Sequence, residues 1–323
     1  MFMENALRIL PIIGIAMMAY IILSIGPAEV IQTFNRVDAS YLVPAVLLFM
    51  VSMGIQNLKW EYMIKKQGIN LGFWTLFRIY FIGTFYGIIT PGRVGNFIRI
   101  GYIKKRTSKS TGECAVSIVL DKVLEFAALS MLAAAGIIMM ANYISFEIFV
   151  AITLLLIAFF SATFLLLRKG SSMSVLKIFW RLFVPGSMKA RAKDAFNSFY
   201  ENILDWKDMM IPLSLTLIGW VILYTSTYMI ALSLGMVIPQ YIFIAIMPIA
   251  TLIGILPVTV GGWGTREATL ILLFSVFGIG SEATVVMSII AAVMSYVITT
   301  AFGVYFVYSE GRIGHNEEAT SRQ

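Results

Sequence analysis

Three arginines stand where a bilayer disfavours charge. Arg93 and Arg99 follow Thr90-Pro91-Gly92, and Arg266 follows a run from Pro257 to Gly264, each within an otherwise apolar stretch. A guanidinium binds phosphate oxygens through a planar, two-pronged fork. Gly92 and Gly95 beside the first break, and Gly261, Gly262 and Gly264 beside the second, let backbone come close to a ligand. Pro91 and Pro257 end the helices before them, so the helices that restart present free N–H groups and a positive dipole end. This combination suits an anion or a phosphate headgroup. Asn96 and Thr265 either donate hydrogen bonds to that ligand or cap a helix start.

Acidic partners are few. Asp121 and Glu125 are four residues apart and share one helix face, while Lys122 is expected to point elsewhere. The pair reads either as a proton or ion relay or as counter-charges to the break arginines, with Glu267 available in the same way. A charge at the bilayer centre costs at least ~2.5–3.5 kcal/mol and usually faces protein interior. Both readings meet that requirement.

Other chemistry is excluded by what the chain lacks. Cys114 is the single cysteine and His315 the single histidine, far apart. They build no disulfide, zinc site or Cys/His nucleophile pair. No metal or cofactor is expected, and the chain is read as no enzyme. An enzyme acting on a lipid-linked phosphate, with Asp121 and Glu125 as acid and base, would lack an evident nucleophile or metal set. The net charge of +7 is assigned to cytoplasmic loops and anionic lipid rather than to nucleic acid.

The elements that position these residues are apolar helices. The chain is 59% hydrophobic and 13% charged, with mean hydropathy +0.87. Soluble domains are about 45–50% apolar and about 25% charged. Six full spans are predicted, at about 7–25, 41–60, 114–141, 148–167, 211–234 and 283–308. The first lacks a small-residue cleavage end and is read as retained. Two shorter pairs, 79–89 with 97–103 and 241–256 with 268–277, flank the breaks. Lys59, Lys65, Lys66 and Arg78 precede the first pair, and Lys104, Lys105, Arg106 and Lys109 follow it. A full crossing would put basic clusters on both sides, so the pair is read as re-entrant. Both termini are then cytoplasmic, in the plasma membrane. Residues 1–308 form one transmembrane domain and 309–323 a disordered polar tail. The basic region 168–208 carries Phe196, Phe199, Tyr200, Ile203 and Leu204 at helical spacing. It reads as an interfacial amphipathic helix or a small cytoplasmic helix pair.

The breaks resemble each other. Pro91, Val94, Gly95, Phe97 and Arg99 are matched in order by Pro257, Val260, Gly261, Trp263 and Arg266. One enters from inside and the other from outside, within halves at about 41–141 and 211–308. That is the pattern of an inverted-topology repeat whose broken helices meet near the midplane. The fold class is therefore all-α: a polytopic transmembrane bundle with two re-entrant hairpins.

Thr90-Pro91-Gly92-Arg93-Val94-Gly95-Asn96-Phe97-Ile98-Arg99 resembles the first signature of the lysylphosphatidylglycerol synthase transmembrane-region family. Leu256-Pro257-Val258-Thr259-Val260-Gly261-Gly262-Trp263-Gly264-Thr265-Arg266-Glu267 resembles its second. The resemblance covers about Leu7 to Tyr308. It implies a flippase-like protein moving an anionic phospholipid or a polyprenyl-phosphate-linked lipid between leaflets. The family commonly has Asp where this chain has Asn96, and Asp-Arg where it has Asp121-Lys122, which weakens a proton role for the first position. Synthase members carry a soluble aminoacyl-transferase domain after the membrane region, and that activity is expected to be missing here. The other reading is a non-transporting partner of a separate transferase or glycosyltransferase. Small intramembrane residues such as Gly136 suit either a homo-oligomer or packing within one chain.

Overall fold

The computed structural model describes residues 2–167, 205–256, 259 and 262–320, with side chains described for 13–90, 94–161, 205–256, 259 and 262–310. The described residues form helices and connecting turns, with no strand among them. Helix α1 (Phe2–Ile25) turns by 87° at Gly26 into α2 (Pro27–Phe34). Then follow α3 (Leu42–Lys66), α4 (Phe73–Ile89), a 3₁₀ segment (Pro91–Phe97), α5 (Ile98–Lys104), α6 (Thr111–Met140) and α7 (Phe146–Leu167). Beyond the basic region come α8 (Trp206–Ser233), α9 (Gln240–Ile255), α10 (Thr265–Ser275) and α11 (Ser281–Thr320). The amphipathic reading of Phe196 to Leu204 lies outside the described residues.

Four helices are long and apolar enough to cross a membrane: α3, α6, α8 and the first part of α11. The pair α1–α2, bent by 87°, makes a fifth if it is counted as one span. With 17 residues, α4 reaches only ~25 Å at 1.5 Å per residue, short of a ~30 Å hydrocarbon core. Its chain then turns at Thr90 and runs back beside α4. The seam is made of small residues. A Cβ at Gly83 would stand 2.5 Å from Arg99 Cγ, one at Gly87 would collide with Asn96, and one at Gly95 would collide with the Tyr86 carbonyl. Thr90 ties the turn: its hydroxyl donates to Tyr86 O and accepts from Gly95 N, both at 2.7 Å.

Both turns flanking this hairpin lie at one end of the bundle. Lys109 Nζ stands 3.8 Å from the place of a Cβ on Gly68, two residues past Lys66. Lys66 pairs with Asp208 at 2.8 Å, and Arg106 pairs with Glu310, so the start of α8 and the 310 region of α11 lie at that end too. At the other end, Asp38 N donates to Ser233 O at 2.9 Å, joining the α2–α3 and α8–α9 turns.

Among the spans, α3 packs along α8, α4 against α11, and α6 against α9. The α6–α9 crossing is close because Gly136 faces the Ala245 carbonyl. Among the described residues a small apolar core packs Phe77, Phe81 and Ile82 of α4 against Phe306 of α11, and two larger ones lie beside it. One joins α6, α8, α9, α10 and α11 through residues such as Leu129, Ile246, Phe274 and Met287. The other gathers Trp60, Ile64, Leu76, Ile79, Cys114 and Leu120 where α3, α4 and α6 meet.

Three boundaries differ from the sequence reading. Helix α3 runs on to Lys66 rather than stopping near Trp60, so Lys59 lies inside a helix and not in a polar loop. Helix α4 starts at Phe73 and takes in Arg78. Helix α11 continues to Thr320, where a disordered tail was expected from Ser309. Glu310, Glu317, Glu318 and Ala319 are good helix formers, and no proline interrupts them.

Candidate functional site

At the first break, α5 descends beside α4 and carries Arg99 into the contact between α3 and α6. Gly83 makes room for its stem. The guanidinium lies over the rings of Trp60 and Tyr80, 4.8 and 5.3 Å from their centroids. Such cation–π contacts contribute ~0.5–2 kcal/mol, more when desolvated. Its Nε donates to Asn96 O at 3.3 Å and its Nη2 to Asp121 Oδ2 at 3.2 Å. Nη1 is buried without an acceptor.

Asp121 divides its two oxygens. Oδ2 faces Arg99, and Oδ1 meets Lys59 Nζ at 2.6 Å. Both Lys59 and Asp121 are fully buried. Glu125, one turn on, lies 3.9 Å from Lys59 and 2.8 Å from Lys122. Lys122 therefore does not point away from the acidic pair: its stem folds along α6 to Glu125 and stops 4.0 Å from Asp121. The cluster holds three cations (Lys59, Arg99, Lys122) and two carboxylates (Asp121, Glu125). Its innermost members are sealed, while Lys122 and Glu125 are part-exposed at its edge.

Lys59 is the residue that sequence reasoning missed. It was grouped with the basic cluster after the second span, although the polar run Gln56-Asn57 just before it, inside an apolar helix, marks a face turned toward protein. Trp60 and Tyr80 were also missed. Arg93 stands on the same 3₁₀ segment, and Gly92 beside it; their side-chain surroundings lie outside the described residues. Asn96 is buried against Gly87 and does not cap α5, whose N-cap is Phe97.

The second break is built differently. Gly262, at φ +76, passes over Gly254 of α9, whose carbonyl oxygen would lie 2.6 Å from an added Cβ. Only glycine fits both the left-handed backbone and the close approach. Gly264 is the N-cap of α10 at φ +85 and abuts Met17 of α1. Glu267 reaches back so that its Oε2 accepts from Gly264 N at 2.7 Å, half of a capping box. Its Oε1 accepts from Ser288 Oγ at 2.6 Å, and the same Oγ accepts from Arg266 Nη2 at 2.6 Å. Arg266 Nε lies 3.4 Å from Glu267 Oε1. Thr265 is the first residue of α10 and donates to Gly262 O at 3.1 Å. Gly261 lies outside the described residues. Met18, Trp263, Arg266, Glu267, Ser288 and Tyr296 line a small, part-open cleft between α1, α10 and α11 with room for about one water molecule, and Trp263 Nε1 donates to Tyr296 OH at 3.2 Å.

The break arginines are thus brought to acids, Arg99 to Asp121 and Arg266 to Glu267. The two sites rest on different neighbours: α3, α4 and α6 for the first, α1, α9 and α11 for the second. Among the described residues no group of His, Cys, Asp and Glu is placed to hold a metal.

Long apolar helices and ion pairs sealed inside the bundle define a polytopic integral membrane protein. A sequence profile of the Lysylphosphatidylglycerol synthase TM region matches residues 10–303. The chain belongs to that family. It is similar to a UPF0104 membrane protein of Methanothermobacter thermautotrophicus, at 24% identity over 94% of this chain and 95% of the relative. It is also similar to UPF0104 membrane proteins of Methanocaldococcus jannaschii, at 23% identity over 90% and 89%, and of Pyrococcus horikoshii, at 26% identity over 91% and 94%.

Proposed function

We propose that this protein moves an anionic lipid, a phospholipid or a polyprenyl-phosphate-linked lipid, between the leaflets of the plasma membrane, with both termini cytoplasmic. The observation that carries the reading is the charge excess at the first break. Three cations face two carboxylates, and the buried Arg99 Nη1 has no acceptor. A phosphate oxygen supplies the missing charge and the missing acceptor together. The cleft at Arg266 offers a second guanidinium beside the apolar Met18 and the aromatic Trp263. Arg93 adds a further cation to the first break.

The helix packing supports an inverted repeat. If α3 corresponds to α8, α4 to α9 and α6 to α11, then α3 against α8 maps onto itself and α4 against α11 maps onto α9 against α6. In transporters built this way, one repeat rocks against the other around a fixed site. The shared end of the turns before α4 and after α5 supports a re-entrant first hairpin.

Purified protein reconstituted into vesicles with a fluorescent phosphatidylglycerol tests the reading by leaflet exchange. Exchange above that of empty vesicles is expected, with loss in Arg99→Ala and in Arg266→Ala. Exchange that stays at full rate in the double variant rejects the site.

A further inference from the structure

We infer that Lys59 works as a positioning residue. It holds Asp121 so that Arg99 can leave that carboxylate for the phosphate of an incoming lipid. The inference rests on the reading of Arg99 as a headgroup ligand and goes beyond it by assigning an exchange of counter-ions.

The two cations on Asp121 are held unequally. Lys59 Nζ stands 2.6 Å from Oδ1 as a fully buried ion pair, held by charge and proximity without hydrogen-bond alignment. Arg99 makes one contact at 3.2 Å through a single nitrogen, with no bidentate fork. Its other attachments leave one nitrogen unsatisfied. Nε donates at 3.3 Å to Asn96 O, the guanidinium plane rests on Trp60 and Tyr80, and Nη1 has no acceptor. When Arg99 turns to a phosphate, Asp121 keeps Lys59 and is not left as a bare buried charge, which would be costly. Glu125, 3.9 Å from Lys59, and Lys122, 4.0 Å from Asp121, balance the remaining members on the open side. Without Lys59, Arg99 becomes the principal partner of Asp121 and is withheld from the lipid. Without the Asp121 charge, Arg99 has no internal competitor.

The test measures equilibrium binding of short-chain phosphatidylglycerol to detergent-purified full-length protein, with inorganic phosphate as a parallel probe. Asp121→Asn is expected to tighten binding and Lys59→Gln to weaken it, each by ~10-fold, within the usual range of coupling between two states. Lys59→Arg should behave as wild type. The double variant Lys59→Gln with Asp121→Asn should recover the tight binding, which a merely structural role for Lys59 would not produce. The double variant removes one charge of each sign, so it also keeps the test open if either single variant folds poorly. Inorganic phosphate following the same pattern assigns the exchange to the phosphate group alone. A pattern seen only with the lipid assigns it to the whole headgroup. If Arg99→Ala abolishes binding while neither Lys59→Gln nor Asp121→Asn changes it, the counter-ion exchange is overturned and the headgroup reading stands. If Arg99→Ala binds as wild type, both fall.

Discussion

Lys59 and Asp121 meet at 2.6 Å in the interior, joining α3 to α6 across 62 positions of sequence (121 − 59). Their fallbacks differ when one is removed. Asp121 still has Arg99 at 3.2 Å, whereas Lys59 and Arg99 together would have only Glu125 nearby, 3.9 Å from Lys59.

Asp121→Leu is therefore expected to destabilise the protein by ~3–5 kcal/mol, the range for breaking a buried pair, and Lys59→Gln by less than ~2 kcal/mol. Thermal unfolding in detergent measures both. Equal losses would show that Arg99 does not act as a second partner.

Gly83→Ala places a methyl 2.5 Å from Arg99 Cγ. Overpacking of this kind costs ~1–3 kcal/mol, and here it also pushes Arg99 off Trp60. Gly101→Ala, with open space around it on α5, should be neutral or stabilise by up to ~1 kcal/mol. A melting-temperature comparison of the two variants decides whether the seam needs its small residue.

At the second break, Gly262→Ala meets both a left-handed φ of +76 and the Gly254 backbone, so poor folding and low yield are expected. Gly278→Ala meets only the φ of +72 in open space and should cost ~1 kcal/mol. Similar yields of the two would contradict the close approach of Gly262 to α9.

Cysteines at Lys66 and Lys109 should react with an impermeant maleimide from one side of the membrane, and a cysteine at the exposed Val237 from the other. Labelling of the first two from opposite sides would remove the re-entrant hairpin.

Four of the six predicted spans, now α3, α6, α8 and the first part of α11, were legible because long apolar runs admit few other solutions. The breaks were legible because Pro91-Gly92 and Pro257 with Gly261-Gly262 interrupt such runs. Lys59 was not legible. A charged side chain ends an apolar window whether it reaches solvent or a partner, and its partner lies on a helix distant in sequence. The reach of Arg99 between Trp60 and Tyr80 depends on the depth at which α5 docks on the Gly83 seam, which no local pattern encodes. Ser288, which bridges Arg266 and Glu267, is one serine among several in α11 and carries no distinguishing mark. Lys122 was misdirected because it was weighed against Asp121, one residue away, rather than against Glu125, which i,i+3 spacing places beside it.

Cys114 sits fully buried in the α3–α4–α6 core. Its thiol is shielded from water-soluble reagents while the bundle stays folded, so the natural sequence already serves as a silent background for thiol chemistry. Probes can be installed one at a time at the loops or beside Arg99 without first re-engineering the interior, and any signal from Cys114 itself would report that the bundle has opened.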